Sequence, residues 1–494
     1  MRFNPQRLGP GGIYLRSLDA VFRSNGDLIK VAEVEPQVFW TKPSSPAAPP
    51  RSSPLERRHI AALPQSILTH GVGAPIGGTI CDHETHVGEL QVWNRELRSP
   101  WTSEHLSILV VPGANGPVPC GFLMPPLQTD STVRLAAQNI RRRAAVLDLP
   151  FAFETGVNYF LPRQDEMPDG DFFAAIAAEA DCGILLDLAN LWSNQKNGRA
   201  KVTDVVAKLP LERVWEVHLA GLELERGFWV DAHSRGIDPD LVVLAADIID
   251  CLPNLGAIVF ELAPDRVSSF DESAYLKEME TLNLLWERAS GERPERPEGA
   301  SLAVASTASA RRASGNTPEA WERTIAGQML PESDRPGAPL PATVLTTDDE
   351  ERFALYKHLA ASFRSGALAE LAGNSIRLLL LAMGREAVSE LLGRYFAATP
   401  PVAFPTEEAL QFQRYNDANP VPIDGFEEIL KFEVALIEAA VNNTTVRTTL
   451  TKNIEAVLAD LARGLPPGPS SDCAPTVLEI GVDPAPFVRI CAAG

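Results

Sequence analysis

Cysteine is scarce. Six residues, Cys81, Cys120, Cys182, Cys251, Cys473 and Cys491, are scattered over 494 positions without one C-x-x-C pair. That usage excludes a disulfide framework and predicts reduced thiols. Basic charge is also short, because 44 Lys and Arg face 64 Asp and Glu, giving a formal charge of -20. The acidic residues are spread along the chain, so no phosphate-tracking surface and no nucleic-acid partner are expected. No uncharged apolar run reaches the roughly 18 to 20 residues of a membrane span. The start, MRFNPQRLGPGG, lacks the apolar run of a signal peptide. A cytoplasmic chain without a membrane partner is expected.

Length and composition then divide the chain. At 494 residues it exceeds one ordinary domain. From about residue 288 to 347 it becomes dense in Pro, Gly, Ser, Ala and charge, interrupted by the helical island AWERTIAGQML. The expected boundaries are a catalytic domain over 1–287, a linker over 288–315 and a mainly helical domain over 316–494. A second Pro-rich break, TKPSSPAAPPRSSPLERR at 41–58, reads as a loop inside the first domain.

Before the linker, short apolar runs alternate with amphipathic helical patterns. The runs are GGIYLRS, DLIKVAEVEPQVFW, QSILTHGVG, SEHLSILVV, PFAFETG, CGILLDLAN, VWEVHLAG and LGAIVFELAP. Strands apolar on both faces, alternating with helices, predict a parallel sheet, and eight such units predict an α/β fold closed as a (β/α)8 barrel. No G-x-G-x-x-G follows the first strand to support an open doubly wound sheet. Beyond the linker, long helical periodicity predicts a helical domain, and the strand-like APTVLEIGVDPAPFVRI predicts a small terminal sheet.

A parallel barrel builds its active site at the carboxyl ends of its strands. Collected there are His70, Glu104 with His105, Glu154, Asp187 with Asn190, His218, Asp231 and His233 in one loop, and Glu261. Imidazole and carboxylate donors suit Fe, Mn, Zn or Co, and the absence of cysteine among them argues against a closed structural zinc site. A lone buried histidine is more often a satisfied core group than a ligand. Several carboxylates aimed into one barrel mouth, however, need cations, so a catalytic multi-metal centre is expected. His83 and His86 have metal-like spacing but read as exposed loop residues; His59 and His358 lie in charged helical surroundings; Cys182 reads as a core thiol.

The motifs SILTHGVGAPIGG, SEHLSIL, FETGVNYF, CGILLDLANLW, VHLAG followed by DAH, and FEL resemble, in order, those of the DUF692 family of multinuclear non-heme iron-dependent oxidative enzymes, which includes the methanobactin-biosynthesis-type oxidase barrel. The resemblance spans about residues 10 to 285. It implies an oxidoreductase barrel holding two or three irons, mixed Fe(II) and Fe(III), with O2 as cosubstrate. Its substrate would be a ribosomally synthesised precursor peptide, modified on a residue that is often cysteine. It further implies that a ferrous iron activates O2 beside a ferric iron anchoring a substrate thiolate or carboxylate. Carried over by position, His70, His105, Glu154, Asp187, Asn190, His218, Asp231, His233 and Glu261 fall on the metal-shell positions; of these, His70, His105, Glu154, Asp187, His218 and His233 are the catalytic candidates.

Three departures stand out. Ala189 replaces the first of an Asn pair, Leu222 replaces a second histidine in HLAGH, and Thr155 follows Glu154 where Asn is usual. They bear on the third metal more than on the rest. The C-terminal region is similar, more weakly, to the separate partner proteins that present the peptide to these barrels, which implies a partner fused in cis. Two rival readings stand beside this one: a divalent-metal sugar isomerase or phosphodiesterase on the same barrel, and a non-catalytic binding or scaffold protein.

Overall fold

A computed structural model of the chain describes residues 3–43, 48–81, 85–267, 270–290, 317–337, 345–468, 471–482 and 486–491. Eight strands close into a parallel barrel: β1 (Gly9–Ile13), β2 (Val31–Val34), β3 (Ser66–Gly71), β4 (Thr102–His105), β5 (Phe151–Glu154), β6 (Gly183–Asp187), β7 (Val214–Ala220) and β8 (Ala257–Glu261). Each pairs with its sequence neighbours, and β8 returns to β1. The strands are buried along almost their whole length. That is why they read as unbroken apolar runs, since barrel packing hides one face and helices the other. Helices such as Asp130–Leu147 cover the outside, turning Val133, Ala136, Ala137 and Ile140 inward at helical spacing.

Each sequence run for a strand contains a barrel strand, but two are shorter than expected. β2 stops at Val34 because Pro36, which has no N–H to give a ladder, opens a 3-10 turn over Pro36–Phe39. In SEHLSILVV the barrel keeps only the part up to His105, and Ile108–Gly113 turns outward to pair with Gly116–Met124. The break over 41–58 is also more ordered than a loop. Thr41 pairs with Arg51, and Ser53 caps a helix over Pro54–Ala61 whose first residue is proline. Most of the expected linker, and His83, lie outside the described residues.

The last barrel helix is Glu272–Ser290, and the chain is next described at a helix over Pro318–Met329. Two long helices, Thr347–Leu371 and Gly373–Ala398, meet at 106°. Behind the bend, Leu378, Leu391, Tyr395, Phe412, Ile429 and Leu430 form a second core with Leu450, Leu478 and Ile480 of an antiparallel sheet. That sheet holds Val446–Lys452, Asp472–Gly481 and Phe487–Ile490, so the strand-like tail does form one. Among the described residues no single helix is long and apolar enough to cross a membrane.

The two parts share a further apolar cluster. Val111, Cys120, Met124, Tyr159 and Phe160 from the carboxyl-end loops of the barrel pack on Trp321, Ile325, Phe353 and Tyr356. Glu322 reinforces the contact by accepting from the N–H and hydroxyl of Thr79.

One buried ion pair ties the first long helix to the helix Pro405–Ala418. Arg364 Nε donates to Glu408 Oε1 at 2.9 Å, and the Tyr395 hydroxyl donates to the same oxygen at 2.7 Å. Glu408→Ala leaves the Arg364 charge buried without its partner and is expected to cost about 3–5 kcal/mol, read as a lowered free energy of chemical unfolding of the full chain.

Candidate metal centre

Register alone brings the candidate residues together. Between neighbouring strands, His105 lies opposite Glu154, Asp187 opposite His218, and Ala220 opposite Glu261. His70 lies opposite Ser103, whose Oγ is 2.8 Å from His70 Nδ1. His105 Nδ1 donates to the Gly71 carbonyl at 2.9 Å. Both rings therefore turn Nε2 inward, and both nitrogens meet one carboxylate oxygen: Glu154 Oε2 is 3.2 Å from His70 Nε2 and 3.1 Å from His105 Nε2. Partners that fix one ring nitrogen and so aim the other are what metal-ligating histidines characteristically have.

Asp187 ends β6 and caps the helix that follows, accepting from the Asn190 N–H at 2.7 Å. The Asn190 side-chain amide donates to Glu154 Oε1 at 2.9 Å and to Asp187 Oδ2 at 2.8 Å. Thr155, one of the departures, has a use here: its hydroxyl accepts from the Asp187 N–H at 3.0 Å. Ala189, another, is fully buried on the same helix.

His218 lies inside β7 between two carboxylates. Its Nδ1 is 3.0 Å from Glu261 Oε1, and its Nε2 is 2.9 Å from Glu33 Oε2. Asp231 and His233 come from the loop after β7. Leu222–Glu225 and Phe228–Asp231 form a hairpin, and the chain then folds back so tightly that a Cβ on Gly221 would stand 2.2 Å from the Arg235 carbonyl oxygen. His233 itself takes a positive φ of 46°, a conformation costly for a residue with a Cβ. There its Nε2 reaches Asp231 Oδ2 at 2.7 Å and Glu261 Oε2 at 3.2 Å. Leu222 is buried directly across the hairpin from Asp231, so the position at which the resemblance leads one to expect a histidine is an apolar wall beside this last group.

Eight of the candidate residues fall into four overlapping donor groups, which Glu33 joins: His70, His105 and Glu154; Glu154, Asp187 and His218; Glu33, His218 and Glu261; Asp231, His233 and Glu261. Glu154, His218 and Glu261 each belong to two groups. Glu104, in contrast, is taken by Arg143 Nη1 at 3.3 Å and by the His105 N–H. His59 pairs with Asp19, and His358 lies 2.5 Å from Glu225 Oε1; neither belongs to a donor group. His86 stacks on Trp40 and Phe404 instead of standing free in a loop. Cys182 is a core thiol, pushed up to about 12 by burial.

Three acidic residues were not collected from the sequence. Glu33 and Glu216 lie inside β2 and β7 rather than at strand ends, both fully buried. Glu35 lies just past β2, its carboxyl raised by burial and sensing His70, Glu261, His105 and His233. The signal was present, since a glutamate inside an apolar strand needs a buried partner: Glu33 faces His218, and Glu216 Oε2 accepts from the Trp101 indole N–H at 3.0 Å.

Without cations, protons balance the site. Burial lowers the pKa of His105, but Glu154 and then Glu104 outweigh it and push the ring up to about 10. At His218 burial again lowers the pKa, but Glu33 and Glu261 outweigh it and drive it well above the usual imidazole value; Asp231 and Glu261 do the same at His233. Against burial, His218 and His233 hold Glu261 down to about 2. Asp187 is driven well above the carboxylate range by burial, with Asp231, Glu261 and Glu154 adding repulsion. Burial lifts Glu33 to about 7.

The donor atoms fit divalent or trivalent cations. Buried without hydrogen-bond geometry to any partner are His70 Nε2, Glu154 Oε2, both nitrogens of His218, Asn190 Oδ1, Asp231 Oδ1 and Glu261 Oε2. His70, Glu154, His218, Asp231 and Glu261 belong to groups whose ligand atoms lie within 4.8 Å of one another. The side chains of His105 and His233 keep 17 % and 29 % exposure, while those of His70, Glu154, His218 and Glu261 keep 5 % or less.

Residues 33–279 match the sequence model of the RiPP precursor modification enzyme family MbnB/TglH/ChrH, which covers half of the chain. This chain belongs to that family. A UPF0276 protein of Anaeromyxobacter sp. is 28% identical over 242 residues, covering 46% of this chain and 84% of the relative. Another, from Streptomyces avermitilis, is 25% identical over 225 residues, 45% of this chain and 46% of the relative, so the chain spans about half of that protein. Among solved structures, a D-psicose 3-epimerase in the presence of D-fructose aligns with 10% identity and a TM-score of 0.38, over 57% of this chain and 100% of that one. An IOLI protein with a binding zinc atom aligns with 9% identity and a TM-score of 0.36, over 58% and 100%. The MbnB/TglH/ChrH match ends before the C-terminal helices. The family acts on precursors of ribosomally synthesised, post-translationally modified peptides, and its barrel here carries the donor groups for metal.

Two outcomes test the centre. Because cations displace the protons that His105, His218 and His233 hold, metal binding to metal-free protein near pH 7 is expected to release protons and to tighten as pH rises, measured by calorimetry in buffers of different ionisation enthalpy. Glu33→Ala removes the carboxylate facing His218 Nε2 and is expected to weaken binding by about 10- to 100-fold, with Glu33→Gln closer to the parent because its amide oxygen still accepts.

Proposed function

We propose that the chain is an O2-dependent multinuclear iron oxidase that modifies a residue, cysteine by preference, of a ribosomally made peptide. The observation that carries this reading is the run of donor groups linked to one another through Glu154, His218 and Glu261. The nine carried-over residues are its ligand set. His70, His105 and Glu154 would hold one iron; Glu154, Asp187 and His218 a second; Asp231, His233 and Glu261 a third, with Asn190 as ligand or as the donor that orients Glu154 and Asp187. Iron held in these groups supplies O2 activation and a Lewis acid that favours a thiolate over a thiol.

The chain's own residues do the rest. The Ser103 hydroxyl and Gly71 carbonyl aim His70 and His105. Arg143 neutralises Glu104, so that this carboxylate does not compete for cations. Between His105 and His233 a peptide side chain can enter, while the remaining donors stay shielded from water. The C-terminal domain would act as a partner fused in cis, which holds the peptide at high effective concentration without a tight interface.

Purified protein is expected to contain iron and to consume O2 only with a cysteine-bearing precursor peptide, whose mass change identifies the product. His70→Ala and His233→Ala should each abolish the mass change. Full turnover without O2, with Mn or Zn in place of iron, would replace this reading by isomerase or hydrolase chemistry.

A further inference from the structure

Most of the donor groups come straight from barrel strands, whose register is fixed by the sheet. Asp231 does not, because it ends a hairpin that projects beyond the barrel. Its placement leads to Tyr159, in the loop after β5. The Asp231 N–H donates to the Tyr159 hydroxyl oxygen at 3.2 Å. At its other end Tyr159 is gripped by the helix Thr347–Leu371: its own N–H donates to the Tyr356 hydroxyl at 3.2 Å, and its carbonyl accepts from Arg352 Nη1. Tyr159 and Tyr356 are both almost fully buried, with ring centroids 5.3 Å apart. Val230, the residue before Asp231, belongs to the same apolar cluster. His358, further along that helix, meets Glu225 on the other strand of the hairpin.

We propose that the helix Thr347–Leu371 positions the Asp231, His233 and Glu261 group, acting through Tyr356 and Arg352 on Tyr159 and through Tyr159 on Asp231. The helix touches no donor atom; it sets where Asp231 stands. Its influence is selective, because His70, His105, Glu154, Asp187 and His218 are held by strands and by the first turn after β6. A C-terminal domain engaged by a substrate peptide thereby has a mechanical route to one metal group and not to the others. The proposal rests on the metal reading above.

The test is an anaerobic titration of the metal-free full chain with ferrous ion, with Mössbauer spectra of the loaded protein. Tyr356→Phe and Tyr159→Phe remove one hydroxyl each and keep the rings packed. Each is expected to weaken one class of site by about 10- to 100-fold and to alter one iron component of the spectrum, leaving the rest as in the parent. Because the two act in series, the double variant should be no weaker than the more affected single one. Glu322→Gln, which loosens a contact between the same two parts that bypasses Tyr159, should change neither readout. Should the core variants unfold, His358→Ala, at the partly exposed rim of the hairpin, is expected to weaken the same class to a smaller degree. A parent chain that takes up no ferrous ion overturns the metal reading itself. A parent that binds normally, with the tyrosine and His358 variants equal to it or weakened uniformly at all sites, overturns this proposal alone.

Discussion

Like charges confined in one buried space repel, and the barrel mouth is organised around that repulsion. Glu33, Glu154, Asp187, Asp231 and Glu261 share a volume from which water is largely excluded, and ionising them together without counter-charge is unfavourable. Imidazoles are interleaved with them, and the pKa values split: Asp187 upward, Glu261 downward, His105, His218 and His233 upward. Protons and cations compete for the same places. A site built this way resists standing empty of both, so its chemistry is tied to which of the two it holds.

The barrel could be read from the sequence because its determinants are local. Eight apolar runs with helical segments between them leave few arrangements for a chain of this kind, and the strand ends follow from the runs. For the same reason His70, His105, Glu154, Asp187, His218 and Glu261 could be gathered in advance. Glu33 and Glu216 escaped because they lie within strands, where side chains alternate between barrel interior and helix layer and the sequence does not say which faces which. The early end of β4 escaped because SEHLSILVV is uniformly strand-like; only the pairing of Ile108–Gly113 with Gly116–Met124 decides where it leaves the barrel.

The contacts of Tyr159 were out of reach for a different reason. In FETGVNYF it is an aromatic residue in a loop, and nothing near it in sequence announces a partner at Tyr356. Long-range pairs of this sort depend on two segments far apart in sequence packing together, which no local pattern encodes. Leu222 was the converse case. The sequence marked it as a departure, and the structure gives the departure a physical meaning, because its side chain is an apolar surface across from Asp231 where a further donor would otherwise stand.

The grip of a late helix on an early loop also sets an order of assembly. As the chain is synthesised, β1 to β8 are complete well before the helix Thr347–Leu371 leaves the ribosome, so the strand-held donors exist in a nascent barrel whose hairpin is still unsupported. Cations taken up during synthesis would then fill the centre from the strand side first, with the Asp231 end closing only when the last third of the protein has docked.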